Sequence, residues 1–250
     1  MVIGSFLNVV IHRVPRGESV VRPASRCPGC STSIRRRDNV PVLSWLLLRG
    51  RCRDCRTPIP WRYPLVELAT GVVFALIAAR VGVSWALPAY LYFGAVAVAL
   101  TVIDLDVQRL PDAIVGPSYL VGVGLLGVAS AGSGNWAAFV RAGIGGLALF
   151  GLYALVVVVY PKGMGLGDVK LAGVLGMYLG WWGWDALAVG AFAAFLFGGL
   201  VGAVVMAVIG KGRGTRIPFG PWMLLGAASA LFISSPVADW YLSMTGIASV

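Results

Sequence analysis

Long apolar segments separated by short polar ones occupy most of the chain after residue 63. They lie at approximately 64–83, 86–103, 113–131, 137–160, 171–184, 186–209 and 217–235. They lack the two-residue alternation of barrel strands, and most approach the roughly 20 residues that a helix needs to cross a bilayer. Residues 1–11 are apolar but shorter, and we interpret them as the end of a truncated first transmembrane helix. The pattern predicts an all-α polytopic membrane protein with about eight transmembrane helices.

A polar and basic segment, residues 12–63, interrupts this pattern. Between Arg13 and Arg62 lie 12 of the 20 basic residues but only three of the ten acidic ones. Only 12% of the chain is charged, against about 25% in a typical soluble domain, and 58% is hydrophobic. Retention of arginine on the cytoplasmic side explains the basic segment without nucleic-acid binding, so we expect a cytoplasmic loop and no nucleic-acid partner.

This loop divides the chain into three predicted parts. They are residues 1–11 (the end of a first transmembrane helix), 12–63 (the basic loop domain) and 64–250 (the transmembrane domain). If 12–63 is cytoplasmic, the connections at 104–112, 161–170 and 210–216 return to that side, and they carry Arg109, Lys162, Lys170, Lys211, Arg213 and Arg216. Residues 236–250 would then lie on the opposite side of the membrane.

All four cysteines of the chain lie in the basic loop, as two CxxC pairs with 21 residues between them. Each pair can offer two thiolates from a tight turn, and four soft ligands suit tetrahedral Zn²⁺. We therefore predict a structural zinc site, with free or redox-active cysteines as the alternative. With four protein ligands the ion would have no open position for catalysis. The predicted zinc ligands are Cys27, Cys30, Cys52 and Cys55.

Four aspartates stand at span ends on one predicted side of the membrane, in TVIDLDVQRLPD and in GMGLGDVKL. Ionisable groups beside the hydrocarbon are costly, which makes them functional candidates. Two carboxylates held close together share one proton, so one can take a proton from water while the other donates to a scissile carbonyl. This is the chemistry of an aspartic peptidase. There are two alternatives. The protein could be a transporter or proton-coupled channel, or it could be a non-catalytic assembly protein that docks through a zinc loop.

The four aspartates differ in their expected roles. Asp104 directly follows the apolar run ALTVI and is the more desolvated of its pair, whereas Asp106 could be an interfacial charge paired with Arg109. Asp112 follows a proline and is expected to begin the next helix. Asp168 could cap the 171–184 helix, but capping does not explain the three glycines before it, which permit close backbone approach and unusual dihedral angles. The supporting residues of the predicted site are Gly163, Gly165, Gly167, Asp106, Asp112 and Lys170.

Several ordered motifs together resemble the type IV prepilin peptidases, which belong to the GxGD class of membrane aspartic proteases. They are GSFLNVVIHRVP (4–15), the two CxxC pairs, DNVPVLSWLLLRGRCRDC (38–55), RYPLVELATG (62–71), IDLDVQRLPD (103–112) and GMGLGDVKL (163–171). Family members usually have an apolar first span before GSFLN, where this sequence has three residues.

The resemblance implies a multi-pass protein of the bacterial inner membrane that removes the basic leader of prepilins or pilin-like secretion subunits at the cytoplasmic face. Carried over, the catalytic pair is Asp104 and Asp168. Members with the cysteine-containing loop typically also N-methylate the new amino terminus, which implies S-adenosylmethionine as methyl donor. The implied partners are prepilin substrates and the lipid bilayer.

Overall fold

The described part of the protein, residues 1–161, 163–209 and 218–245 of a computed structural model, is built from α-helices and connecting turns, without a β-strand. The helices are α1 (Val2–Arg13), α2 (Leu43–Leu47), α3 (Arg62–Val81), α4 (Leu87–Val107), α5 (Asp112–Ser133), α6 (Trp136–Val159), α7 (Leu166–Trp182), α8 (Trp184–Ile209) and α9 (Gly220–Thr245).

The predicted all-α polytopic architecture is confirmed. Among the described residues, six helices, α3, α4, α5, α6, α8 and α9, are long and apolar enough to cross a membrane. Helix α7 has 17 residues and α1 has 12, so the predicted count of eight spans is not confirmed. The division at residues 11 and 63 stays a prediction.

The largest differences from the predicted helix bounds are in α7 and α9. Helix α7 begins at Leu166 and not at 171, because the glycine-rich stretch forms its first turn. Helix α9 begins at Gly220 and continues through Pro236 to Thr245, where the sequence pattern placed an end at 235. A proline is tolerated within an apolar helix when neighbouring groups satisfy the freed carbonyl. The expected return of Lys162, Lys211, Arg213 and Arg216 and the position of residues 246–250 lie outside the described residues.

Helix α7 is the central helix of the bundle, and every residue from Leu171 to Gly180 is buried. Its closest neighbour is α6, and the contact is made by glycines. A Cβ atom added at Gly176 would lie 2.2 Å from the carbonyl oxygen of Gly145. Small residues allow two helix backbones to approach this closely in a membrane. Any side chain at Gly145 or Gly176 would therefore separate α6 from α7.

Two arginines donate to backbone carbonyls, one at the far end of α7 and one on α9. Arg141 donates to the carbonyls of Gly180 and Trp181, at 2.6 and 2.7 Å. Arg80 donates to the Leu231 carbonyl at 2.7 Å, and its guanidinium lies 4.8 Å from the ring centroid of Trp182. The Gly180 and Trp181 carbonyls belong to the last turn of α7 and have no partner within that helix, whereas the Leu231 carbonyl lies inside α9.

Candidate active site and cysteine cluster

Asp104 and Asp168 line the same cavity, at the end of the bundle where α4 ends and α5 and α7 begin. The cavity has a volume of about 840 Å³ and is also lined by Val14 and Pro15, just after α1. The two aspartates taken from the motifs, 64 positions apart in the sequence, are thus brought together by the fold.

Asp104 is the buried member of the pair, with 4% of its surface exposed in the last turns of α4. Its Oδ2 accepts a hydrogen bond from the backbone N–H of Gly220 at 3.0 Å. Gly220 is the first residue of α9, and the free N–H groups of a helix start favour an anion. A Cβ atom at Gly220 would lie 2.7 Å from that same Oδ2. Sequence reasoning missed Gly220, although its place between Phe219 and Pro221 at a span start marks a special backbone position.

Asp168 is the half-buried member, in the first turn of α7. Its Oδ2 accepts a hydrogen bond from the N–H of Gly165 at 3.0 Å, and its own N–H donates to the Gly165 carbonyl at 3.1 Å. Asp168 is therefore not the N-cap considered from the sequence: the N-cap of α7 is Gly165, and Asp168, at the third helical position, bonds back to the N–H of that residue with one carboxylate oxygen. The cap fixes the side chain against the helix start while the residue lines the cavity.

The glycines around Asp168 serve packing within the chain. A Cβ at Gly167 would press on the Cβ of Leu110 at 3.2 Å, and one at Gly163 would overlap the ring of Tyr160 at 2.3 Å. Gly165 has an extended backbone, with φ −87°, and Gly167 is helical. The expected unusual dihedral angles are therefore wrong for Gly165 and Gly167, since neither needs a conformation reserved for glycine.

The acidic residues beside the pair are held in ion pairs. Asp112 is the first residue of α5, as expected, and both of its oxygens lie 2.8 Å from Nζ of Lys170. Asp106 pairs with Arg62 at the start of α3, so the expected partner Arg109 is wrong. Helix α4 ends at Val107 and Gln108 takes a left-handed conformation, φ 51°, which directs the following residues away from the helix axis.

The four cysteine sulfurs form one cluster, in which all lie within 4.8 Å of one another. The cluster could bind a metal ion. A tetrahedral site with Zn–S bonds of about 2.3 Å needs sulfurs about 3.8 Å apart. The Sγ atoms of Cys27 and Cys55 are separated by 3.6 Å, which fits such an ion.

The two CxxC pairs form matching turns. The N–H of Cys27 donates to the carbonyl of Thr32 at 3.0 Å, and that of Cys52 donates to the carbonyl of Thr57 at 2.9 Å. Each turn is closed by one isolated bridge, Arg26 with Ser33 and Arg51 with Pro58. The repeat in the sequence, CPGCSTSI against CRDCRTPI, is thus a repeat in structure that presents two thiols from each side.

Local hydrogen bonds favour the ligating form of one thiol and tie the turns to the rest of the loop. Bonds from the side chain and backbone of Thr57 lower the pKa of Cys55 to about 6. Arg53 forms three hydrogen bonds with the carboxylate of Asp38, at 2.6–3.1 Å, and holds the pKa of that carboxyl below its usual value. Polar links of this kind hold the loop together, in keeping with a segment closed by a metal.

Comparisons with known proteins agree with this arrangement. Residues 1–81 match the bacterial peptidase A24 N-terminal domain, and residues 90–207 match the type IV leader peptidase family. No solved structure matches the chain significantly.

Relatives resemble the chain over nearly its whole length. A prepilin leader peptidase/N-methyltransferase of Stutzerimonas stutzeri is 36% identical, with 97% of this chain and 91% of the relative covered. Proteins of the same name from Aeromonas hydrophila and Pseudomonas aeruginosa are 37% and 33% identical, over 91% and 92% of their lengths. Because relatives at least 33% identical cover nearly the whole chain, the chain belongs to the type IV leader peptidase family.

Proposed function

We propose that this protein is a membrane aspartic endopeptidase that cleaves the basic leader of prepilins and pilin-like subunits, and that it N-methylates the amino terminus so produced. The observation that carries the peptidase assignment is the placement of Asp104 and Asp168 on one cavity at one end of the bundle. The names of the relatives support both activities. Because the basic loop lies at the same end, the positive-inside rule supports a cytoplasmic position for this cavity in the inner membrane.

The geometry supports a general acid–base mechanism. Two carboxylates facing one cavity share one proton at moderate pH, since both ionise together only at a cost. The ionised carboxylate takes a proton from water, whose oxygen attacks the scissile carbonyl carbon while the protonated carboxyl donates to the carbonyl oxygen. The Gly220 N–H keeps the Asp104 carboxylate oriented, and the Gly165 N–H does the same for Asp168. Collapse of the tetrahedral intermediate then breaks the C–N bond, and the leaving amine takes up a proton.

The ion pairs at the cavity support a role in leader recognition. Asp112 and its partner Lys170 line the cavity and are exposed, with side-chain exposures of 68% and 46%. Exposed pairs are weak, so a cation of the leader can replace Lys170 at Asp112. Asp106 likewise forms an exposed ion pair, with Arg62, near the bilayer surface, and a cation of the leader can replace Arg62 there. The arginine-rich loop is suited to anionic lipid headgroups and not to a leader that is itself basic.

A direct test is incubation of the purified chain in detergent with a synthetic prepilin peptide and S-adenosylmethionine, followed by mass spectrometry. We expect one cut at the leader junction and, on the new amino terminus, the mass of an added methyl group. A folded preparation that leaves several prepilin peptides intact would contradict the peptidase assignment. Transport through a bundle of this kind uses carboxylates near the midplane of the bilayer, whereas these two lie at the helix ends.

We further propose that the cysteine cluster holds one structural zinc ion. The four thiolates would complete its coordination, so the ion would stabilise the loop and would leave no open position for a reaction.

Replacement of Cys27 and Cys52 by serine is expected to reduce the zinc content of the purified chain from about one ion to none, as measured by atomic emission. Serine hydroxyls bind zinc much more weakly than thiolates. Ser33→Ala, in the same turn, is the matched control and should keep the ion; unchanged zinc in the double variant would refute the site.

A further inference from the structure

Helix α2 of the basic loop carries its apolar side chains outside and a polar one inside. Leu43, Leu46 and Leu47 are three and four positions apart, so they share one face of the helix, and 52%, 58% and 74% of their surfaces are exposed. The buried residue of α2 is Ser44, whose hydroxyl donates to the carbonyl of Arg37 at 3.1 Å. A surface helix in water has the opposite arrangement, with its apolar face turned inwards.

Two hydrogen bonds fix the depth of α2 relative to the transmembrane helices. The N–H of Val42, directly before α2, donates to Oε2 of Glu67 at 2.7 Å. The hydroxyl of Ser5 donates to Oδ1 of Asn39 at 3.3 Å. Glu67 lies five positions after the first residue of α3, or about 7.5 Å along its axis, and Ser5 lies eight positions before the last residue of α1, or about 12 Å along its axis. The start of α2 therefore lies beside the ends of these helices and not above them.

The helices beside α2 expose apolar side chains at the same depth. Phe6 on α1 is 51% exposed, and Leu65 and Leu68 on α3 are each 49% exposed. Because α3 is long and apolar enough to cross a membrane, its exposed side chains contact lipid. Trp61, directly before α3, is 69% exposed, and tryptophan is typical of the bilayer surface. The leucine face of α2 thus lies at a level where neighbouring side chains already contact the bilayer.

Basic residues directly follow this leucine face. Arg49 and Arg51 are exposed, and within the described chain no acidic side chain forms an ion pair with either of them. An apolar face next to unpaired arginines is the arrangement of helices that lie in the membrane interface, where the cations contact anionic phospholipid headgroups. Apolar and charged groups of α2 and its flank therefore fit the same partner.

We infer that α2 is an interfacial membrane anchor, which inserts its leucine face among the acyl chains of the leaflet on the side of the basic loop and places Arg49 and Arg51 at the headgroups. The bilayer then holds the loop at a third place, between its connections to α1 and α3. The anchor also restrains the cysteine turns, because Trp45 of α2 donates to the carbonyl of Ile59, just after the second CxxC pair, at 3.0 Å. The inference does not depend on the proposed activities.

The depth of the leucine face is tested by fluorescence quenching in nanodiscs of phosphatidylcholine and phosphatidylglycerol. A genetically encoded fluorescent amino acid replaces Leu47, which is exposed and leaves room for it. Some of the lipids carry a nitroxide near the headgroup end, the middle or the methyl end of the acyl chain. An interfacial helix lies about 5–10 Å into the boundary of headgroups and acyl chains, so we expect the strongest quenching from the nitroxide nearest the headgroup.

Two labelled positions serve as controls. Val21 belongs to the same loop, is 78% exposed and is flanked by carbonyls that bind Arg13 at the end of α1, whereas Leu68 faces lipid on α3. Iodide, which stays in water, should quench the label at position 47 at least about threefold less than the label at position 21. Equal iodide quenching at these two positions would place the leucine face in water. Protection of position 47 from both iodide and the nitroxides would place it against protein, a second copy included. Either result would overturn the anchor.

The part played by charge is tested with the same label. In nanodiscs of phosphatidylcholine alone, iodide quenching at position 47 should rise by at least about twofold, because the attraction of basic residues to anionic headgroups is lost. Arg49→Gln combined with Arg51→Gln should cause the same rise in nanodiscs that contain phosphatidylglycerol. Arg26→Gln, in the first CxxC turn of the loop, is the matched control and should leave the quenching unchanged. Quenching that responds neither to the lipid nor to the double substitution would refute the headgroup contact.

Discussion

Asparagine in place of either Asp104 or Asp168 is expected to reduce leader cleavage by about 10²–10⁴-fold, which is the usual contribution of a general acid or base. The substitution keeps shape and hydrogen bonding, because an amide oxygen can still accept from Gly220 or from Gly165. What it removes is the ability to take up or give a proton. Initial rates on a prepilin peptide, measured by chromatography, check the expected loss.

Three comparisons make this result specific. Asp239→Asn, at an exposed position of α9, removes an aspartate without touching the cavity and should cleave normally. The Asp104/Asp168 double variant should be no slower than the slower single variant, because two groups that act as one unit are not additive. Both single variants should still methylate a pre-cut peptide, which shows that they are folded. Full cleavage by either folded single variant would remove that residue from the mechanism.

Gly220→Ala is expected to lower cleavage by about 100-fold while leaving the chain folded. The added Cβ would lie 2.7 Å from Oδ2 of Asp104 and 3.3 Å from Cδ2 of Leu110. The carboxylate has to rotate away, and it then loses both the Gly220 N–H and its orientation towards the partner aspartate. Displacing a reacting group by about 1 Å costs about this factor. Turnover at saturating peptide, with KM measured alongside, is the appropriate test because the change acts on the reacting group.

Gly151→Ala on α6 is the matched control for this substitution. No atom lies within 4 Å of a Cβ added there, and alanine is the better helix former. Its cleavage rate should therefore equal that of wild type. Equal rates for Gly151→Ala and Gly220→Ala would show that the Gly220 contact does not orient Asp104.

The sequence was sufficient to predict most of the helices and to single out two aspartates that line one cavity, because both depend on local pattern. A carboxylate is costly in hydrocarbon, so one that directly follows an apolar run is favoured near the end of a span. The CxxC pairs could also be predicted, since each forms its own turn. The start of α7 could not be predicted, because glycine is a poor helix former. Gly163 and Gly165 do precede the helix, but Gly167 is helical and packs against Leu110, where an added Cβ atom would lie 3.2 Å from the Cβ of Leu110.

Long-range contacts explain the other differences. The bond from Gly220 to Asp104 joins residues 116 positions apart, and no local pattern indicates it. Proximity in sequence suggested Arg109 as the partner of Asp106, whereas the end of α4 at Val107 leaves Arg62, on another helix, as the cation in reach. The contact of α1 with α3 is likewise a product of packing, because Asn8 on α1 donates to the carbonyl of Tyr63, which lies 55 positions away.

The glycine contact between α6 and α7 has a consequence for how loss-of-function variants will be distributed. Gly176 lies eight residues beyond Asp168, or about 12 Å along the helix axis, and its fit against Gly145 sets the rotation and depth of α7. Asp168 lies on the first turn of the same helix. A substitution that shifts α7 in the bundle interior therefore also displaces the Asp168 carboxylate. Inactivating substitutions should therefore also occur along the interface between α6 and α7, far from any atom that touches the substrate.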